Sequence, residues 1–283
     1  MSATIAPVTR ARLTADLLRR GRTYSYGPDR SQRADLRLPP GPGSHPVVVL
    51  IHGGSWQARY GRIFMRGLVS DLLRRGWATW NIEYRRLGNG GGWPNTFADV
   101  ARAIDHLAQV EAPLDLDRVT LLGHSAGGHL ALWAATRAKL APDAPGASDA
   151  GPAVRPSGVI SQAGVADLGG AYRLWRGGVV RALMGGSPEE YPERYDAGDP
   201  MRLLPADIPA LLVHGSADET VSVQLSRNYE RAASAAGAQV ELVEIAGEAG
   251  RHRAHLNPLG TAWAAVTERL TDYSGPVGAP PSR

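Results

Sequence analysis

The chain has no cysteine among its 283 residues. This excludes disulfides, thiolate metal sites and a cysteine nucleophile, and it leaves the redox compartment unencoded. Lysine is nearly absent, Lys139 alone, so arginine carries the net charge of +4. The arginines are scattered, with no basic and aromatic surface motif, and nucleic acid is not an expected partner. Long apolar runs are missing too: nothing approaches the ~18 residues of a membrane span. Arg10, Arg12, Asp16, Arg19 and Arg20 interrupt any signal-peptide core near the start. A cytoplasmic protein with no membrane partner is expected. No histidine and carboxylate cluster has metal-site spacing. The run Gly88-Asn-Gly-Gly-Gly92 lacks the Gly-Lys-Ser/Thr ending of a phosphate cradle and reads as a mobile loop near a pocket mouth. No metal and no cofactor is expected, and oligomeric state is not encoded.

What is present is an ordinary globular composition, 43% hydrophobic and 20% charged, in a chain long enough for one large core. Apolar strand-like runs at 47–51, 78–84, 119–122, 158–162, 210–213 and 240–245 alternate with helical patterns. The helices fall at 63–75, with Phe64, Leu68 and Leu72 on one stripe, from Thr96 as N-cap with Asp99 three residues on, and at 126–140, 222–236 and 261–271. This order predicts an α/β fold: one mostly parallel sheet with helices on both faces. Residues 1–24 read as an N-terminal extension, 25–272 as a single domain, and 273–283, rich in proline, as a disordered tail. Residues 141–156 read as a surface loop. Residues 167–204 are too long for a simple connection and read as a small helical lid.

Gly123-His124-Ser125-Ala126-Gly127 stands after an apolar strand and before a helix. A Gly-x-Ser-x-Gly sequence in that context lifts the serine hydroxyl on a strained turn, with small neighbours allowing close packing and the helix start supplying backbone N–H groups. Ser125 is the candidate nucleophile. His52-Gly53-Gly54-Ser55-Trp56 follows the strand 47–51 and can turn backbone amides toward a developing oxyanion, so Gly53, Gly54, Ser55 and Ala126 are the candidate donors. A triad in the chain order Ser, then acid, then His leaves only His252 and His255 as base. Asp218, just past the strand 210–213, is the favoured acid over Glu219 and Glu244. Trp56, Tyr60, Trp93 and Trp175 lie in segments expected around the mouth of such a site. His124 and His129 are read as local packing residues.

With these motifs in place, the sequence resembles the α/β-hydrolase families of kynurenine formamidase-like enzymes, carboxylesterases and prolyl oligopeptidase-type domains over about residues 25–272. The residues that carry the likeness are His52-Gly-Gly-Ser-Trp56, Glu83-Tyr-Arg-Arg86, Gly92-Trp-Pro94, Asp99, Gly123-His-Ser-Ala-Gly-Gly128, His214-Gly-Ser-Ala-Asp218 and His252. The resemblance implies a catalytic histidine six residues before Pro258, which selects His252. Arg253 departs from it, since an aromatic or apolar residue usually follows that histidine, and this keeps His255 open. The function implied is a serine hydrolase acting on a small ester with an apolar or aromatic part. An arylformamidase acting on an amide is the runner-up, and an acyltransferase or a non-catalytic ligand receptor represents a different class.

Overall fold

The computed structural model describes residues 21–148 and 151–274. Eight strands form one sheet in the order β1-β2-β4-β3-β5-β6-β7-β8. They are β1 (Arg22–Ser25), β2 (Arg33–Arg37), β3 (His45–Ile51), β4 (Ala78–Ile82), β5 (Leu114–His124), β6 (Gly158–Gln162), β7 (Ala210–Gly215) and β8 (Val240–Ile245). From β4 to β8 all neighbours are parallel, whereas β1 and β2 join antiparallel at one edge. The central strands β3, β4 and β6 are buried at every position, as strands covered on both faces must be. This is the α/β-hydrolase architecture.

The first two strands lie in what the sequence presents as polar, partly extended chain. Arg33-Ala-Asp-Leu-Arg37 alternates half-buried and buried positions, the pattern of an antiparallel strand with one covered face, and it pairs with β1 on one side and β4 on the other. The sheet therefore begins at Arg22, inside the stretch read as an extension. Residues 1–20 and 275–283, which hold the rest of the extension and most of the tail, lie outside the described residues.

The helices follow the strands: α1 (Arg66–Arg74), α2 (Asn95–Asp105), α3 (Ala126–Thr136), α4 (Leu168–Leu174), α5 (Gly178–Met184), α6 (Pro192–Gly198), α7 (Gln224–Ala235) and α8 (Thr261–Ser274). Helix α3 is apolar around its whole circumference and nearly every residue is buried, as expected of a helix sealed between the sheet and other elements. One apolar cluster fills the face of the sheet holding α2, α3 and the segment 168–198; Met65, Leu68, Leu72, Trp263 and Val266 fill the other. The segment 167–204 contains the three short helices α4, α5 and α6.

Two local readings change. Thr96 does not cap α2, which starts at Asn95 after Pro94; the buried Thr96 hydroxyl instead donates to Arg85 O at 2.7 Å and accepts from Gly92 N–H at 2.9 Å. Asp99 is turned away from the helix start and accepts from the Arg85 guanidinium and Gln32. Phe64 is 45% exposed and does not share the stripe of Leu68 and Leu72, because residues 62–65 wind as a tighter 3₁₀ turn that shifts its direction.

Candidate active site

Four strands end in the loops that carry the site: β3 into His52-Gly53-Gly54, β5 into Ser125, β7 into Asp218 and β8 into His252. All are carboxyl ends of parallel strands in one sheet, where open α/β sheets build their ligand sites. Ser125 has φ 56° and ψ −122°, a strained backbone for a residue with a Cβ. Its N–H donates to Gln162 O on β6 at 2.9 Å. The flanking glycines have no room for a side chain: a Cβ on Gly123 would lie 2.0 Å from Gly127 O, and one on Gly127 would lie 2.0 Å from Ile51 O. Strand, turn and helix therefore press together, and the turn is held from both sides.

His252 Nε2 lies 2.9 Å from Ser125 Oγ, and its Nδ1 lies 2.7 Å from Asp218 Oδ2. His255, the other late histidine, is fully buried and makes no hydrogen bond to Ser125 or Asp218. The Asp218 and His252 loops meet where Gly215 and Gly250 touch, a contact that a Cβ on Gly215 would abolish at 1.6 Å from Gly250 O. Asp218 Oδ1 accepts the N–H groups of Thr220 at 2.8 Å and Val221 at 3.0 Å. Burial acts to raise the Asp218 pKa, but hydrogen bonds from His214, His252 and Val221 outweigh it and hold the carboxyl well below the usual carboxylate range. Glu219 is exposed and Glu244 is paired with Arg227 at 2.7 Å, so neither stands behind an imidazole.

The backbone amides of Gly53, Gly54, Ser55 and Ala126 donate to no protein acceptor among the described residues. Gly53 packs directly on the nucleophile, since a Cβ there would lie 2.9 Å from Ser125 Cβ. Gly54, Ser55 and Trp56 all have positive φ, at 115°, 52° and 53°, which turns the loop sharply in front of Ser125.

That loop is anchored by His52 and Glu83-Tyr-Arg-Arg86, motifs visible in the sequence to which the sequence assigns no role. The buried His52 ring stacks on Tyr84 with centroids 4.5 Å apart, donates from Nδ1 to Gly53 O at 2.7 Å, and has Nε2 2.7 Å from Glu83 Oε1. Burial, together with the charges of Arg86 and Arg62, pushes the His52 pKa down to about 3. Tyr84 Oη donates to His52 O at 2.8 Å, and Arg62 N–H donates to Glu83 Oε2 at 3.1 Å. Glu83-Tyr-Arg-Arg86 is thus a brace beneath the loop.

Two hollows meet at Ser125. An outer cleft of about 290 Å³ is bounded by Gly53, Gly54, Tyr60, Phe64, His252, Arg253 and Leu256. An inner one of about 120 Å³ is bounded by Ser55, Trp56, Ala126, Val165, Trp175, Val179 and Val221. Tyr60 and Trp175 therefore stand where a pocket was expected, in different hollows. Trp56 is 1% exposed and contributes only a wall of the inner one, its ring edge-on to His129 at 5.4 Å. Trp93 does not face Ser125: it packs edge-on against Phe97 at 5.1 Å and opens onto a separate groove with Leu140, Ala197 and Leu203. The cause is the anchoring of Trp93 N–H on Leu183 O at 2.7 Å, which folds α5 and α6 over it. The glycines 88–92 line neither hollow; they wrap around Arg86, whose carbonyl accepts from Gly91 N–H at 2.8 Å. Phe64, Thr220, Val165 and Val179 were not legible as lining residues, because only the tertiary turn of each segment aims them at Ser125.

No group of histidine and acidic residues that could hold a metal occurs among the described residues, and no described helix is long and apolar enough to cross a membrane.

The chain is 29% identical over 262 residues to "Esterase LipQ" of Mycobacterium tuberculosis, covering 89% of this chain and 61% of the relative. It is 31% identical over 208 residues to "Probable carboxylic ester hydrolase LipM" of the same organism, covering 70% of this chain and 46% of that one. The chain thus spans about three fifths or less of the length of these curated relatives. Among solved structures it superposes on a truncated carbohydrate esterase from gut microbiota with TM-score 0.77, at 21% identity, covering 90% of this chain and 97% of the other. A thermophilic esterase from Thermogutta terrifontis superposes with TM-score 0.72 at 22% identity, covering 92% and 95%. The BD-FAE family profile matches residues 34–232, most of the chain, and the protein belongs to the BD-FAE family.

Proposed function

We propose that the protein is a serine hydrolase that cleaves small carboxylic esters through an acyl-enzyme on Ser125, with His252 as base and Asp218 as the acid that orients it. The observation that carries this reading is the unbroken chain of contacts from Asp218 Oδ2 through His252 to Ser125 Oγ, at 2.7 and 2.9 Å. His252 Nε2 takes the Ser125 proton as Oγ attacks the acyl carbon, and the Asp218 carboxylate stabilises the imidazolium that forms. The oxyanion is accepted by the free amide of Ala126 together with those of the 53–55 loop; one such donor is typically worth about 100- to 1000-fold in rate.

The two hollows receive the two halves of the ester. His252 must return its proton to the departing alkoxide, so the alcohol part belongs on the imidazole side, in the outer cleft. The inner hollow, bounded by Trp175, Val179 and Val221 and touching no imidazole, then takes the acyl chain. Its volume of about 120 Å³ suits a short acyl group. In support, solved structures of the Thermogutta terrifontis esterase are described with propionate and with butyrate bound. Water, deprotonated by His252, releases the acid in the second half of the reaction.

The test is hydrolysis of p-nitrophenyl acetate beside N-formylkynurenine by wild type and Ser125→Ala. The ester reading expects p-nitrophenol release that Ser125→Ala loses. Faster cleavage of N-formylkynurenine would replace it with the formamidase reading. Release that requires an added acceptor alcohol would indicate acyl transfer, and binding without any turnover would indicate a receptor.

A further inference from the structure

The outer cleft has an electrostatic character that the hydrolytic machinery does not use. Arg253, immediately after His252 on the 3₁₀ turn His252–Leu256, lines it and is exposed. No hydrogen bond or ion pair engages its guanidinium among the described residues, and no carboxylate lines the cleft. Its neighbour Arg251 shows the alternative, since it is paired with Glu248 at 2.7 Å. The same cleft is lined by apolar groups: Tyr60 and Phe64, with ring centroids 5.8 Å apart, and Leu256. Arg59 sits over the Tyr60 ring at 5.0 Å, a second cation against one of the lining residues.

A cleft with an aromatic wall, one unsatisfied guanidinium and no negative charge is complementary to a flat apolar group that carries an anion. A planar guanidinium is well matched to a carboxylate, which it meets with two parallel N–H donors. We infer that Arg253 is a specificity-determining residue that selects esters whose alcohol part is an aromatic or apolar group bearing a carboxylate. This rests on the esterase reading and on the assignment of the outer cleft to the alcohol half. Arg253 makes no hydrogen bond to Ser125, His252 or Asp218 among the described residues, so it acts on substrate capture and has no part in proton transfer.

The experiment compares 3-acetoxybenzoate with its uncharged counterpart 3-acetoxybenzamide, which match in shape and differ in the charge on the alcohol half; each rate is divided by that ester's hydroxide-catalysed rate, which removes the difference in phenol leaving ability. Wild type, Arg253→Gln and Arg253→Glu are assayed at low and high salt. Because the guanidinium is solvent-exposed, the expected preference of wild type for the anion is modest, about three- to tenfold in kcat/KM and expressed in KM. The ratio should approach one in Arg253→Gln, invert in Arg253→Glu, and shrink in wild type as salt rises. Equal rates for the two esters in wild type, a ratio unmoved by Arg253→Gln, or rejection of both esters by an enzyme that cleaves p-nitrophenyl acetate would each overturn the inference. Failure of the esterase reading itself looks different: no ester is cleaved and Ser125 takes up no fluorophosphonate.

Discussion

His124 Nε2 lies 2.9 Å from the backbone carbonyl oxygen of His252, so the residue before the nucleophile donates a hydrogen bond to the residue that faces the nucleophile. The two imidazoles lie with centroids 4.8 Å apart. Burial, reinforced by the proximity of His252, pushes the His124 pKa down to about 3, so the ring is a neutral donor at physiological pH and its tautomer is fixed by that carbonyl. The turn that lifts Ser125 therefore also holds the far loop on which its base is carried.

Replacing His124 with Phe keeps the ring volume and removes the donor. A lost hydrogen bond of this kind is worth roughly 0.5–1.5 kcal/mol, so kcat/KM should fall by about three- to tenfold through misplacement of His252. The fall should appear in kcat with the fold intact by circular dichroism. Unchanged kcat would show that the His252 loop needs no brace.

Asp218→Asn keeps the side-chain shape and removes the charge opposite His252 Nδ1. The neutral amide can present an N–H to the imidazole and favour the wrong tautomer, and a loss on the order of 10⁴ in kcat is expected. The Asp218 carboxyl lies below the usual carboxylate range, so it is ionised throughout the pH range of assay and contributes no limb to the pH–rate profile above about pH 4. A wild-type-like rate in Asp218→Asn would move the acid elsewhere.

Four buried histidines make the protein acid-sensitive. Burial first of all, and nearby charges at His52, His124 and His255, push His52 and His124 down to about 3, and His129 and His255 to about 4. Each has a folded pKa below its unfolded value near 6.5, so the unfolded chain binds more protons once the pH drops. Their contribution to stability is complete above about pH 6.5 and is lost as pH falls toward 3–4. The unfolding temperature should drop steeply from pH 6.5 to 5. His129→Leu should reduce proton uptake on unfolding at pH 5 by about one, read by calorimetry in buffers of different ionisation enthalpy. Uptake equal to wild type would place a charged His129 in the folded state.

Gly127→Ala should fail to fold stably. Its Cβ would meet Ile51 O at 2.0 Å and His52 O at 2.6 Å, both backbone atoms of β3 and its loop, so nothing soft can yield. A penalty above about 4 kcal/mol is expected, close to the whole stability of a domain at the low end of the usual range of about 5–15 kcal/mol. A soluble variant with a wild-type melting temperature would contradict the close packing of strand and helix.

Much of this was readable before any coordinates. The runs 158–162 and 240–245 coincide with β6 and β8, because short apolar runs between turns have few alternatives. Ser125 and Asp218 are legible because each follows a strand end, a position defined by local pattern; the same pattern leaves His252 and His255 open, and the family resemblance is what favours His252. The antiparallel strands β1 and β2 escaped since Arg22-Thr-Tyr-Ser25 is largely solvated and Arg33-Ala-Asp-Leu-Arg37 bears a charge at every second position. Trp93 misled for another reason: its segment lies near the site in sequence, yet the contact to Leu183 O turns it outward, and a contact 90 residues apart leaves no local trace. The Glu83 brace beneath the oxyanion loop is equally non-local.

The most direct test of the Ser125 assignment is fluorophosphonate labelling followed by mass spectrometry of the adducted peptide. One adduct is expected, on Ser125, formed rapidly by wild type and not formed by Ser125→Ala. An adduct on any other residue, or labelling of Ser125→Ala at the wild-type rate, would contradict the account.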